Sequence, residues 1–447
     1  EFTSGNLEEV TEETPEIFTD EEQDTAKEAS EDISVFSPEN VPAFSDETEN
    51  VLASAQSEGN GEIDLSNNSK VNNGRYTIDH AGTYNFTSNN QVTENQIVIQ
   101  NIDSNQDKVE IHLNNLKINA SNGPALHIMN SVAVEVLIYL QGNNELITTN
   151  KSSAGLQKNN ISLLTIKNES DNVIGYLDAS NKAMDQSMPQ LPIPASNGAG
   201  IGSGMNESAV SNICISGVSV TASSTNGAGI GSGKASGSQN GSNTSGNCSN
   251  ISISNSTVTA TSTNGAGIGS GWASGSLNSS NTSGNCSNIS ISNSTVTATS
   301  TNGAGIGSGW ASGGKNSSNT SGNCSNISIS NSTVTATSTE SAGIGSGGAL
   351  GGAGCTNTNG NCSNISISNS TVTATSTESA GIGSGWALGG AGCTNTNGNC
   401  SDITISNSTV TASSTKGVGI GSGGALGGAG CTNISGNCSD IFISGDQ

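Results

Sequence analysis

A block of 38 residues, "GAGIGSGWASGSLNSSNTSGNCSNISISNSTVTATSTN" at 265–302, returns almost unchanged from Gly303. The motif AGIGSG opens at Ala199, Ala228, Ala266, Ala304, Ala342 and Ala380, and VGIGSG at Val418, so the first interval is 29 residues and each later one 38. Within the repeat a core of 22 residues, such as 250–271, keeps its length; the connecting loop is 7 residues at 205–211 and 16 residues at 272–287 and its copies. A core of fixed length joined by a variable loop is the signature of one coil of a solenoid.

The pattern inside the core names the kind of coil. Ile251 and Ile253 share one face of "ISIS"; Val258 and Ala260 share one face of "STVTATST"; Ala266 and Ile268 alternate with glycine. Period-two alternation is the strand signal, and it predicts three short strands per coil, turned at Asn, Ser and Gly. Stacked coils put like residues about 4.8 Å apart in parallel register, and the preferred crossover hand makes the helix right-handed. The expected fold is all-β, a right-handed parallel β-helix with one coil per 38-residue repeat. Its core is a narrow column of Ile, Val and Ala, which suits a chain with 3% aromatic residues and 59 glycines.

Three regions follow. Residues 1–58 form an acidic N-terminal segment expected to be disordered: 1–62 hold nineteen Asp or Glu and one lysine, Lys27, and scarce apolar surface with like-charge repulsion opposes folding. Residues 59–197 alternate with bulkier side chains (Leu113, Leu116, Ile118, Leu126, Ile128, Leu137, Leu140) and read as the first rungs of the same helix, with 181–197 as a surface loop. Residues 198–447 are the glycine-, serine-, threonine- and asparagine-rich repeats. Six cores are complete, and "DIFISGDQ" at 440–447 begins a seventh, which predicts truncation or a cap at that end. The chain opens on Glu1 rather than Met, as a processed product would.

A net charge of −25 with no Lys/Arg cluster makes nucleic acid and anionic membrane poor partners, and no apolar run is long enough to span a bilayer. The segments "GTYNFTS", "IVIQN", "VEIHLNNLKINASNGPALHIMNS" and "VEVLIYLQGNNELIT" resemble the carbohydrate-binding domain family of β-helical surface proteins in Gram-positive, clostridia-type bacteria. The "NISISNSTVTATSTNGAGIGSG" coils are similar to the Gly-rich rungs appended to such domains, and the likeness covers roughly 65 to 447. It implies a secreted or cell-surface bacterial protein that binds polysaccharide, sometimes with calcium, and it supplies no catalytic residues.

Candidate sites are few. Trp272, Trp310 and Trp386 each follow GIGSG directly; in adjacent coils their rings would stack about 5 Å apart as a platform for sugar C–H faces, or else cover the base of the loop. Asp103 and Asp107 offer oxygen ligands of the kind calcium takes. Asp79, His80, Glu110, His112 and His127 sit among the opening strands without convergent carboxylates for acid–base work, so no enzyme is expected. Cys355, Cys393 and Cys431 stand seven residues before Cys362, Cys400 and Cys438, which predicts the loop disulfides Cys355–Cys362, Cys393–Cys400 and Cys431–Cys438 and an exported protein. Cys248, Cys286 and Cys324 would lie within disulfide reach across coils, and Cys214 is free.

The expectation is a monomeric binding or adhesion module for polysaccharide or host glycan, or for a host surface protein. Three rival readings remain. A rigid stalk would display other domains, two outward threonine columns (Thr257 to Thr409 and Thr259 to Thr411) resemble ice-binding arrays, and a polysaccharide-degrading β-helix would need the carboxylates that are missing.

Overall fold

Asparagine in the left-handed region sets the turns. Asn255, Asn293, Asn331, Asn369 and Asn407 have φ of 46–49° and end the strand that carries ISIS or its equivalent. Asn250, Asn288, Asn326 and Asn364 have φ of 54–56° inside that strand. Asn tolerates this conformation better than other residues with a Cβ. The inserted left-handed residue lets Cys248 and Ile251, three apart, both face inward, so the buried face reads Cys248, Ile251, Ile253 at 0–1% exposure.

The computed structural model describes residues 61–170, 174–185, 193–207 and 209–445; the acidic segment 1–58 lies outside the described residues. These described residues belong to one compact unit. It is a parallel β-helix whose coil is the 38-residue repeat. A representative coil runs through β1 (Cys286–Ser292), β2 (Thr295–Thr299), β3 (Ile306–Gly307), β4 (Ala311–Gly313) and β5 (Ser318–Thr320). Equivalents of the first three stack into walls of twelve, ten and eleven strands, and equivalents of the last two into walls of six. Register is like on like: Ile289 pairs with Ile327, Val296 with Val334, Ile306 with Ile344. The walls continue unbroken across residue 198, where Leu164–Asn168 pairs with Val210–Ser216 and Tyr176–Asn181 with Ser219–Ser223.

Two expectations are corrected here. Each repeat coil has five strands, not three, because the 16-residue segment at 272–287 is wall rather than loose loop. Its interior is filled by Ala273 and Asn281, each fully buried, and a two-residue strand with one apolar side chain shows no period. Within 181–197, Met184–Asp185 and Ile193–Pro194 pair as an antiparallel hairpin.

Candidate functional site

A groove of about 400 Å³ runs along the axis at the corner between β5 and the next coil's first strand. Its walls are Thr282, Thr320, Thr358 and Thr396 on one side and Asn285, Asn323, Asn361 and Asn399 on the other. The floor is bare backbone: a Cβ on Gly322 would stand 2.1 Å from the Gly284 carbonyl oxygen. Each asparagine is fixed from above, since the backbone N–H of Asn323 donates to Asn285 Oδ1 at 2.8 Å and that of Asn361 to Asn323 Oδ1 at 2.8 Å. With Oδ1 committed, the exposed Nδ2 groups form a row of donors repeating every coil, about 4.8 Å. No charged residue lines the groove. Sequence alone does not disclose it, because Thr and Asn in one copy are only turn residues; the groove exists once five copies are stacked.

The tryptophans are half-buried parts of the adjoining wall. Trp272 does not form the expected open platform with Trp310: the Lys234 ammonium lies 4.0 Å over its ring, and its Nε1 donates to Ser312 Oγ at 2.9 Å. Burial lowers the pKa of Lys234. The Nε1 of Trp386 is buried without a partner, because Leu426 occupies the place that Ser312 takes relative to Trp272. Gly348 interrupts the column between Trp310 and Trp386. The Thr257–Thr295–Thr333 column is in register on its wall.

Asp103 and Asp107 are both exposed on one turn, where Gln106 N–H donates to the Asp103 carbonyl at 3.1 Å. Among the described residues no three His, Cys, Asp or Glu side chains converge as a metal-holding group. Register does bring titratable side chains together on the outer face of the first wall, which single strands could not reveal. His112 Nδ1 is 2.6 Å from Glu169 Oε2, and the His112 ring stacks on Tyr139 at 4.5 Å. Lys167 Nζ lies 4.7 Å from that same Tyr139 ring. Glu110 binds Lys108 at 3.0 Å, which holds the lysine above its usual pKa. Each of these groups is already partnered, as in a surface ladder.

The predicted loop disulfides are absent. All ten cysteines are free, because each companion pair is split between two columns with a strand and a corner between them. Cys355 belongs with Cys393 and Cys431, taking the place of Ser317 in the coil before. Its Sγ donates to the Gly314 carbonyl at 3.0 Å and accepts the Ser317 N–H at 3.3 Å. Cys362 opens the following strand and stacks on Cys324 and Cys400. The cross-coil pairs among Cys248, Cys286 and Cys324 are likewise thiols, and Cys214 is half-buried.

Where the bulky coils meet the repeats, one interior column reads Ile99, Ile128, Lys158. In the repeats the corresponding position is serine, whose Oγ accepts a glycine N–H from the next coil, as Ser232 does from Gly271 at 2.9 Å. Lys158 has no acceptor to offer, so Glu207 takes the Gly204 N–H at 2.6 Å, and burial raises the Glu207 pKa. His127, in the same wall, is pushed down to about 4 by burial and by Arg75. Lys158 is 1% exposed, its Nζ donates to the Asn160 carbonyl at 2.7 Å, and burial lowers its pKa to about 8. Below pH 8 both folded and unfolded chains carry the proton and the fold bears the buried charge in full. As pH rises from about 8 towards 10.5 the unfolded chain binds more protons, so stability rises with pH. Lys158→Met is expected to raise the urea midpoint at pH 7 and to remove that rise; a variant that keeps the wild-type slope would sink this assignment.

Residues 251–272, 289–310, 327–348, 365–386 and 403–424 match the family model described as a beta helix repeat. The chain thus carries beta helix repeats whose parallel strands stack coil on coil. No curated protein and no solved structure matches the chain.

Proposed function

We propose that this protein is a surface-displayed or secreted binding module that holds an extended, uncharged polysaccharide along its axial groove. The observation that carries the reading is the groove itself: about 400 Å³, spanning five coils, lined by hydroxyls, amide donors and bare backbone, with no ionisable side chain. That volume falls within the range of ligand sites. Repeating donors at one coil spacing suit a polymer with hydroxyls at a similar repeat, and the absence of charge suits a neutral one. With no carboxylate or imidazole in the groove, binding rather than bond cleavage is the chemistry it supports.

The test is retention of the full chain on insoluble polysaccharides and on a glycan array. Thr320→Arg with Thr358→Arg, which fills the groove from one wall, is expected to weaken retention at least tenfold, or about 1.4 kcal/mol. Trp272→Ala with Trp310→Ala is expected to change it less than threefold. The reverse ranking would move the site to the tryptophans, and failure to bind any glycan would leave the solenoid as a structural stalk.

A further inference from the structure

The six cysteines of the first wall have a chemistry that the groove does not use. Cys248, Cys286, Cys324, Cys362 and Cys400 are register partners in successive coils, and Cys400 bridges to Cys438. The five from Cys248 to Cys400 are 0–1% exposed, inside the apolar core. Packing alone does not ask for a thiol there, since Val210 precedes Cys248 in the same column. The second column behaves differently, because Cys355 and Cys393 each exchange hydrogen bonds with backbone groups of adjacent coils. In the six-residue column each cysteine instead lies beside those of the adjacent coils, Cys286 between Cys248 and Cys324 and Cys362 between Cys324 and Cys400.

We propose that this column is a binding site for soft monovalent metal ions, Cu(I) above all, each bridging the sulfurs of two adjacent coils. The length fits. A metal–thiolate bond is about 2.3 Å, so a linear S–Cu–S unit spans about 4.6 Å against a coil spacing of about 4.8 Å. A disulfide is within Cα reach but needs its Cβ atoms drawn in to about 3.8 Å, closer than one coil spacing. Zinc fits worse too, because it takes four ligands around one point and each gap here offers two. Thiolate ligands are the ones that select Cu(I). Charge balances without a redox step. Five Cu(I) ions enter the five gaps, five thiol protons leave to solvent, and the sixth thiol keeps its proton, so the filled column is neutral and suits a dry interior.

The experiment is anaerobic titration of the reduced full chain with Cu(I) supplied as its acetonitrile complex, read by bound copper per chain and by X-ray absorption. About five ions with two sulfur neighbours each are expected. Cys324→Val, which installs the side chain that Val210 already carries in this column, divides it into runs of two and three thiols, and uptake is expected to fall to about three. Cys355→Ser, Cys393→Ser and Cys431→Ser together are expected to leave it at five. Uptake that Cys324→Val does not reduce, copper bound only after denaturation, or recovery of cross-coil disulfides in place of copper would each overturn the assignment.

Discussion

Gly307→Ala is expected to break the solenoid in the middle. Gly307 has φ of +146°, and a Cβ built there would lie 1.7 Å from the carbonyl oxygen of Gly345, its partner one coil on. That oxygen accepts the Ser308 N–H at 3.2 Å, so the methyl would occupy the path of a ladder hydrogen bond. The backbone region alone costs about 1–3 kcal/mol for a residue with a side chain, and each lost bond adds about 1 kcal/mol. About 2–4 kcal/mol is therefore lost at one coil interface on those two terms. Because coils in a solenoid contact only their neighbours, the damage stays local. Unfolding should split into two transitions, and limited proteolysis should cut between about 300 and 350. Gly424→Ala is the control: nothing lies within 4 Å of a built Cβ there, and its midpoint should shift by less than about 0.5 kcal/mol. A single cooperative transition at the wild-type midpoint in Gly307→Ala would refute the close-approach argument.

The same glycine shows what the sequence can and cannot disclose. Its recurrence as the second glycine of AGIGSG, with Ile268 and its copies beside it, is enough to set the period, the parallel register and the inward face, because copying preserves whatever neighbours share. The interior of the 16-residue segment stays hidden, since Asn281 in one copy looks like any turn asparagine. Only the stack makes it a buried ladder residue. The cysteines mislead for a related reason. A spacing of seven suggests a closed loop, whereas an extended strand such as Thr356–Thr358 between the two carries each into its own column. The groove and the titratable cluster around Tyr139 are equally invisible, because their members are a coil apart in sequence and adjacent only across coils.

Asn319→Leu should be among the most damaging substitutions outside the glycines, although it makes the interior more apolar. Asn281, Asn319, Asn357 and Asn395 are all 0% exposed. Asn281 Nδ2 donates to Asn319 Oδ1 at 2.8 Å, and Asn319 Nδ2 to Asn357 Oδ1 at 2.9 Å. Such amide ladders polarise along the stack and leave no lone partner inside it. Replacing a middle rung strands a donor hydrogen of Asn281 and the Oδ1 of Asn357, each worth about 1–3 kcal/mol when buried unpaired, for a loss of about 2–6 kcal/mol. Asn243→Leu, at the end of the column, strands only the Asn281 Oδ1 to which it donates at 2.8 Å, and should lose about half as much. Urea midpoints at constant m-value measure the difference; equal losses, or a stabilised Asn319→Leu, would mean the ladder contributes only shape. The ratio matters because it states how a chain with so few large apolar side chains keeps an interior. Each polar group that enters the wall arrives with its identical partner already stacked beside it, so burial of the amide and satisfaction of the amide are the same event.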